Sequence, residues 1–122
     1  MTKIAIIEDD ATINQMYRMK FEAAGFDVQL ASDGERGVAL VESFRPDLIL
    51  LDMQMPVKNG YEALKEIRAA DWGKDIPVIV LTNMGEEESP KELRDLKIES
   101  YIVKADLTPS QVVERVKETL KL

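Results

Sequence analysis

Short apolar runs alternate along the chain with longer segments whose apolar residues recur at helical spacing. This alternation is typical of parallel strands joined by helical crossovers. The predicted strands are Lys3–Ile7, Phe26–Ala31, Leu48–Leu51, Val78–Leu81 and Tyr101–Val103. The predicted helices span about Ala11–Ala24, Asp33–Phe44, Gly60–Ala70, Pro90–Leu96 and Pro109–Leu120. The pattern therefore predicts an α/β domain built around one parallel sheet.

Two short motifs mark where the last two predicted helices begin. Ser89–Glu92 and Thr108–Gln111 each combine a hydroxyl residue, a proline and then an acid or amide three residues on. This is the pattern of a capping box with proline at the first helical position. We expect each cap to contribute about 1 kcal/mol.

The composition favours one folded domain. The chain has 122 residues, of which 45% are hydrophobic, and no linker-like stretch interrupts them. We expect a single domain over residues 1–122 with no separate output domain in this chain. The net charge of −7 argues against direct binding to nucleic acid or to an anionic membrane. No apolar stretch approaches the roughly 20 residues that span a bilayer.

The chain contains neither cysteine nor histidine. Their absence excludes disulfides, a Cys/His zinc site, a cysteine nucleophile and a Ser-His-Asp triad. The remaining carboxylates, hydroxyls and lysines suit a hard cation such as Mg²⁺, Mn²⁺ or Ca²⁺. The lack of cysteine also fits a cytoplasmic location, which we expect for this domain.

Polar residues able to handle a phosphoryl group or a metal ion follow four of the predicted strands. They are Glu8–Asp10, Asp52, Thr82 and Lys104. Each taken singly also fits a helix cap, a turn or a solvated strand end. In a parallel sheet, however, all four strand ends meet at the carboxyl edge, where open α/β sheets place their sites. Their convergence predicts a phospho-accepting, cation-binding pocket, because clustered carboxylates are stabilised by a bound cation.

The loop after Asp52 carries a recognisable signature. Residues Asp52–Gly60 read D-M-Q-M-P-V-K-N-G and resemble the D-x-x-M-P-x-x-x-G segment of response-regulator receiver domains. The acids after the first strand, the Leu-Thr pair ending the fourth and the lysine ending the fifth resemble the same family. The likeness covers essentially the whole chain. It implies a flavodoxin-like, doubly wound (βα)5 fold with strand order 2-1-3-4-5 and phosphorylation at Asp52.

The resemblance also implies a metal site. Asp9, Asp52 and the backbone carbonyl of Gln54 would hold Mg²⁺, with Glu8 acting through water. Mn²⁺ is the alternative ion.

The remaining implied roles concern the switch. Thr82 and Lys104 would bind the phosphoryl group, and Tyr101 would rotate inward as Thr82 moves. The implied readout surface is the fourth helix, fifth strand and fifth helix, about Pro90–Leu120. The implied donor is a sensor histidine kinase or a phosphotransfer protein, and the implied recipient is a downstream protein effector. Such a domain phosphorylates itself and slowly dephosphorylates, rather than turning over substrate, and is a monomer or a phosphorylation-dependent dimer.

Four departures from the family pattern all lie on the readout half. Ala105 replaces a proline that is often cis, so a trans bond is expected. Lys97-Ile98 replace Gly-Ala, which costs about 1 kcal/mol if Lys97 is left-handed. Asn83 replaces a small residue and is expected to narrow access to the phosphoryl group. Pro90 delays the fourth helix and leaves Met84–Glu88 as a long acidic loop.

Other functions remain open from the sequence. A receiver-like module used only for docking would keep the fold without phosphorylation. An aspartyl-phosphate phosphatase would need D-x-D at the nucleophile, but Gln54 stands at its second position. A flavodoxin-like cofactor binder would need a phosphate loop, and Gly34 and Gly37 do not form one.

Overall fold

Five parallel strands form the centre of the computed structural model, which describes residues Met1–Leu122. The strands are β1 (Lys3–Ile7), β2 (Asp27–Ala31), β3 (Leu48–Leu51), β4 (Val78–Thr82) and β5 (Ser100–Val103). Their order is β2-β1-β3-β4-β5, as predicted. Ile7 is the register partner of Leu51. The residues that follow them, Glu8 and Asp52, therefore leave the sheet side by side.

Helices cover both faces of the sheet. They are α1 (Ala11–Ala23), α2 (Gly34–Phe44), α3 (Gly60–Ala69) and α4 (Pro109–Leu120). α1 packs against α4, whereas α2 packs against α3, so the sheet separates two hydrophobic cores. β3 and β4 are buried along their whole length. Because both of their faces are covered, almost every position in these strands is apolar. None of the helices combines the length and apolarity needed to cross a bilayer.

The two predicted capping boxes have different outcomes. The Thr108 hydroxyl accepts from the Gln111 amide at 3.2 Å, and the Gln111 side chain accepts from the Thr108 amide at 2.8 Å. The box predicted at Ser89 is wrong, since the Ser89 hydroxyl donates to the Glu86 carbonyl at 2.6 Å. The predicted fourth helix is present as a 3-10 helix, Lys91–Leu96, with no side-chain cap.

A half-buried arginine holds this 3-10 helix against the rest of the fold. Arg68, near the end of α3, donates to the carbonyls of Leu96, Gly73 and Ile76 at 2.7, 2.8 and 2.8 Å. These contacts give a hydrogen-bond donor to the carbonyl that ends the 3-10 helix and to two carbonyls in the turn before β4. A 3-10 segment too short to be stable alone is thus fixed by a distant side chain.

Lys97 ends the 3-10 helix in the left-handed conformation, with φ 59° and ψ 51°. A β-carbon is disfavoured there, so Lys97→Gly is expected to raise the free energy of unfolding by about 1 kcal/mol. Urea unfolding measures the change. Lys97→Ala is the matched control, because it removes the same side chain and its exposed pairing with Asp75 but keeps the β-carbon. Equal stability of the two variants would contradict the prediction.

Candidate functional site at the carboxyl edge of the sheet

Three carboxylates meet where β1 and β3 end. Oxygen atoms of Glu8, Asp9 and Asp52 all lie within 4.8 Å of one another. Glu8 and Asp52 are buried, at 3% and 6% exposure, whereas Asp9 is exposed. Asp10 lies outside the cluster and caps α1 by accepting from the Ile13 amide at 3.0 Å. The sequence-predicted acids thus divide into a site trio and a helix cap.

A glycine allows the loop after β3 to pack closely on the site. A β-carbon on Gly60 would lie 2.2 Å from the carbonyl oxygen of Asp52. The Gly60 amide donates to the Met53 carbonyl at 3.1 Å, which closes the loop onto its own start. The last position of the D-x-x-M-P-x-x-x-G signature therefore has a steric cause.

Lys104 enters the acidic cluster from the end of β5. Its ammonium group donates to Glu8 Oε1, and it lies 3.4 Å from Asp52 Oδ2. Although burial lowers the pKa of Lys104, its hydrogen bond to Glu8 and the charge of Asp52 outweigh burial and raise the pKa above the ordinary value. Lys104 is therefore a permanent positive charge beside two buried acids.

The two buried acids differ in protonation. Burial, together with hydrogen bonding and charge from Asp52, raises the pKa of Glu8 from 4.5 to about 8, and Lys104 opposes this only in part. Burial also disfavours the ionised form of Asp52, but hydrogen bonds from Glu8 and the charge of Lys104 outweigh it and lower the pKa of Asp52. At neutral pH and without a metal ion, Asp52 is the ionised member of the pair.

The donor set fits a hard divalent cation. Glu8 Oε2 is buried and no protein group donates a hydrogen bond to it, so this oxygen is open to a cation or to its water once Glu8 is ionised. All three ligand residues offer carboxylate oxygen, which suits Mg²⁺. The backbone amide of Gln54 donates to Asp52 Oδ1 at 3.2 Å. The ligand role predicted for the Gln54 carbonyl stays a prediction.

The two predicted switch residues contact one common loop residue. Thr82, fully buried at the end of β4, accepts from the Met84 amide through Oγ1 at 3.3 Å. The hydroxyl of Tyr101 donates to the Met84 carbonyl at 2.9 Å. Met84 is thus held from both sides of its own backbone. Sequence reasoning placed Met84 in the acidic loop but missed this connection, because no pattern shows which carbonyl a tyrosine reaches.

Two other departures from the family pattern concern Ala105 and Asn83. All peptide bonds are trans, including Lys104–Ala105, as predicted. The side chain of Asn83 is exposed, and the narrowing expected from it stays a prediction.

Two further residues at the site were not predicted. Asn14 donates through Nδ2 to the carbonyls of Glu8 and Ala31 at 2.9 and 3.3 Å, which ties α1 to the ends of β1 and β2. Tyr17, 3% exposed, borders a small cavity together with Glu8 and Lys104. The one sequence signal for either residue was a polar group, the Asn14 amide or the Tyr17 hydroxyl, on the apolar face of the first predicted helix.

The strand order and the residues at the carboxyl edge define a class of protein: a doubly wound α/β domain with acids, a hydroxyl and a lysine clustered at the carboxyl ends of its strands. A family model described as the response regulator receiver domain matches residues 4–117. The chain therefore belongs to the response regulator receiver family and is a receiver domain of two-component signalling.

Curated relatives match across nearly the whole chain. The regulator RpaA of Synechocystis, described as a DNA-binding dual master transcriptional regulator, is 34% identical over 121 residues, covering 99% of this chain and 50% of RpaA. The transcriptional regulatory protein ResD of Bacillus subtilis is 36% identical over 120 residues, covering 98% of this chain and 48% of ResD. The chain spans about half the length of these relatives, both of which are named as transcriptional regulators.

Solved structures agree in fold. The chemotaxis protein CheY4 of Vibrio cholerae has a TM-score of 0.88 and 28% identity, covering 97% of this chain and 98% of that one. The receiver domain of the sensor histidine kinase PA1611 from Pseudomonas aeruginosa has a TM-score of 0.85 and 26% identity, covering 96% and 95%. The PA1611 structure holds a magnesium ion in its active-site cleft.

Proposed function

We propose that this domain is a phosphorylatable switch that accepts a phosphoryl group on Asp52. The observation that carries the proposal is the pairing of a buried, ionised Asp52 with the Lys104 ammonium 3.4 Å away, inside a three-acid cluster. A carboxylate must be ionised to attack phosphorus, and the lysine offsets charge on the group it receives. The donor is a phosphohistidine of a sensor histidine kinase or phosphotransfer protein, and the output is a protein effector.

Asp9, Asp52 and the Gln54 carbonyl would hold Mg²⁺, or Mn²⁺ in its place, and Glu8 would act through a water. When bound, the ion supplies positive charge that offsets the acceptor carboxylate and the phosphoryl oxygens. The unsatisfied Glu8 Oε2 and the oxygen-only donor set support this assignment, as does the magnesium ion in the PA1611 receiver.

The chemical step belongs to Asp52. One Asp52 oxygen forms the new bond to phosphorus, the bond from phosphorus to the donor imidazole nitrogen breaks, and that nitrogen keeps the electron pair. Lys104 then exchanges its hydrogen bond to Glu8 for one to a phosphoryl oxygen. Its existing position between the two acids makes this a short movement.

Signal transmission would start at Thr82. Its hydroxyl is now an acceptor for the Met84 amide, and donating to a phosphoryl oxygen would draw it away from this contact. Because Tyr101 holds the carbonyl of the same residue, a change at Thr82 alters the support of Tyr101. The bistable element is therefore the loop at Met84 together with Tyr101.

The readout surface comprises the 3-10 helix Lys91–Leu96, β5 and α4. We propose that residues 1–122 work as one domain, as a monomer or a phosphorylation-dependent dimer.

Intact-mass measurement after incubation with acetyl phosphate tests the proposed function. With Mg²⁺ or Mn²⁺ the protein is expected to gain the mass of one phosphoryl group, and with excess EDTA it is expected to gain none. The reason is that the acidic cluster repels an anionic donor unless a cation is bound. An unchanged mass in every condition would instead support a module used only for docking.

A further inference from the structure

One buried polar side chain near the site has no role in the proposed mechanism. The buried polar or charged residues are Glu8, Asn14, Asp52 and Thr82, and the mechanism uses all of them except Asn14. Asn14 lies near the start of α1 and is 5% exposed, and its Oδ1 atom is buried without a hydrogen-bond partner. An unpaired buried amide oxygen costs stability. The benefit of this side chain therefore comes from its other polar atom, Nδ2.

Nδ2 of Asn14 holds the peptide group that joins two acids of the cluster. It donates to the carbonyl of Glu8 at 2.9 Å and to the carbonyl of Ala31 at 3.3 Å. The Glu8 carbonyl belongs to the peptide bond between Glu8 and Asp9. The backbone amide of Glu8 is fixed separately, because it donates to the Ala31 carbonyl at 3.0 Å. The orientation of this peptide determines where both acidic side chains leave the backbone.

The far end of the same turn, at Asp10, is also held by α1. The Asp10 carbonyl accepts from the backbone amide of Asn14 at 2.9 Å, and its side chain accepts from the Ile13 amide at 3.0 Å. Asn14 thus binds the chain on both sides of Asp9, through its side chain on one side and its backbone amide on the other. Asp9 is exposed, and its side chain makes no hydrogen bond or ion pair with the protein. The place of Asp9 in the cluster therefore depends on how its two neighbours are held.

We propose that Asn14 is a positioning residue for the cation site, which sets the Glu8–Asp9 peptide so that these two carboxylates meet that of Asp52. The inference rests on the proposed function, because it takes the cluster to be the Mg²⁺ site. Asn14 acts through the backbone of the turn and is not itself a ligand. Removing a residue that orients metal ligands typically weakens metal binding by about 10- to 100-fold.

Calorimetric titration of Asn14→Leu with Mg²⁺ alone tests this role. Leucine is close to the carboxamide in shape and has no polar atoms, so the variant loses the unpaired Oδ1 and leaves the Glu8 carbonyl without its side-chain donor. Because one unpaired group replaces another, the melting temperature is expected to stay within about 4 °C of the wild-type value. The freed peptide is expected to turn, and the Mg²⁺ dissociation constant to rise about tenfold.

Gln15→Leu is the matched control, since it removes an exposed carboxamide from the next position of α1 and should bind Mg²⁺ as the wild type does. Asn14→Ala is expected to weaken binding in the same way, and it takes the place of the leucine variant if that variant does not fold. A lower melting temperature with unchanged Mg²⁺ affinity would show a purely structural role and overturn the proposal. An equal loss of affinity in Gln15→Leu would overturn it as well.

Hydrogen exchange of the metal-free protein tests the backbone contact without any cation. The Glu8 amide, which donates to the Ala31 carbonyl, is expected to exchange about fivefold faster in Asn14→Leu, the loss of one net hydrogen bond. It should exchange at the wild-type rate in Gln15→Leu. Equal exchange in Asn14→Leu and the wild type would contradict positioning. If the wild type binds no Mg²⁺, the cation site of the proposed function fails, and the exchange rates still decide whether Asn14 holds the turn.

Discussion

Asp52→Asn is expected to abolish the mass gain that acetyl phosphate and Mg²⁺ produce in the wild type. Asparagine keeps the shape of the side chain and the acceptor that takes the Gln54 amide at 3.2 Å. It lacks the ionised oxygen that attacks phosphorus, and an amide has no comparable nucleophile. The expected loss is at least about 10³-fold in rate, because the group removed makes the new bond. Intact mass over a time course measures it.

Asp27→Asn is the matched control for this experiment. Asp27 is an exposed aspartate at the start of β2, at the opposite edge of the sheet from the site. Its substitution makes the same chemical change and should leave the mass gain intact. Phosphorylation that persists in Asp52→Asn would place the acceptor on another carboxylate. Peptide mapping would then identify it, with Asp9 and Glu8 as the nearest choices.

The strands were predictable because most of them lie inside the molecule. β1, β3 and β4 are covered on both faces, so their sequences are continuous apolar runs that helices do not imitate at this length. The observed ends differ from the predicted ones by a residue: β4 includes Thr82 and β5 begins at Ser100. The strand order came from the family resemblance, since apolar runs alone do not say which strands are neighbours.

The 3-10 helix Lys91–Leu96 shows what local signals leave open. Ser89 and Pro90 indicate that a helix begins, but they do not determine which hydrogen-bond pattern follows. That choice depends on contacts distant in sequence, here the Arg68 bond to the Leu96 carbonyl 28 residues away. The Ser89 hydroxyl instead donates to the Glu86 carbonyl in the preceding turn. Such a local hydrogen bond competes with helix capping, and the motif does not show which of the two forms.

The sequence predicts which strand ends form the site, but not which of its side chains pair with one another. Parallel topology alone brings residues 8, 52, 82 and 104 to one edge. Topology does not reveal that Lys104 donates to Glu8 as well as approaching Asp52, because both carboxylates lie within reach of one flexible side chain. The capping box of Asn59 and Glu62 at the start of α3 is a different case, because its spacing is a local signal that the sequence does show and that was missed.

Glu8→Gln is expected to stabilise the metal-free domain at neutral pH by on the order of 2–3 kcal/mol. Burial, reinforced by Asp52, raises the pKa of Glu8 from 4.5 to about 8, so the folded state binds this proton more tightly than the unfolded chain. The stability from Glu8 is therefore fully present below pH 4.5 and is lost as the pH rises to about 8. Glutamine is neutral throughout and resembles the protonated carboxyl that the fold already contains, so it avoids this loss. Urea unfolding in EDTA at several pH values between 5 and 8 should show a shallower decline in the free energy of unfolding in the variant than in the wild type.

Glu114→Gln, at an exposed position on α4, makes the same change without burial and should keep the wild-type decline. If Glu8→Gln declined as steeply as this control, the proton of Glu8 would not be the cause of the pH dependence.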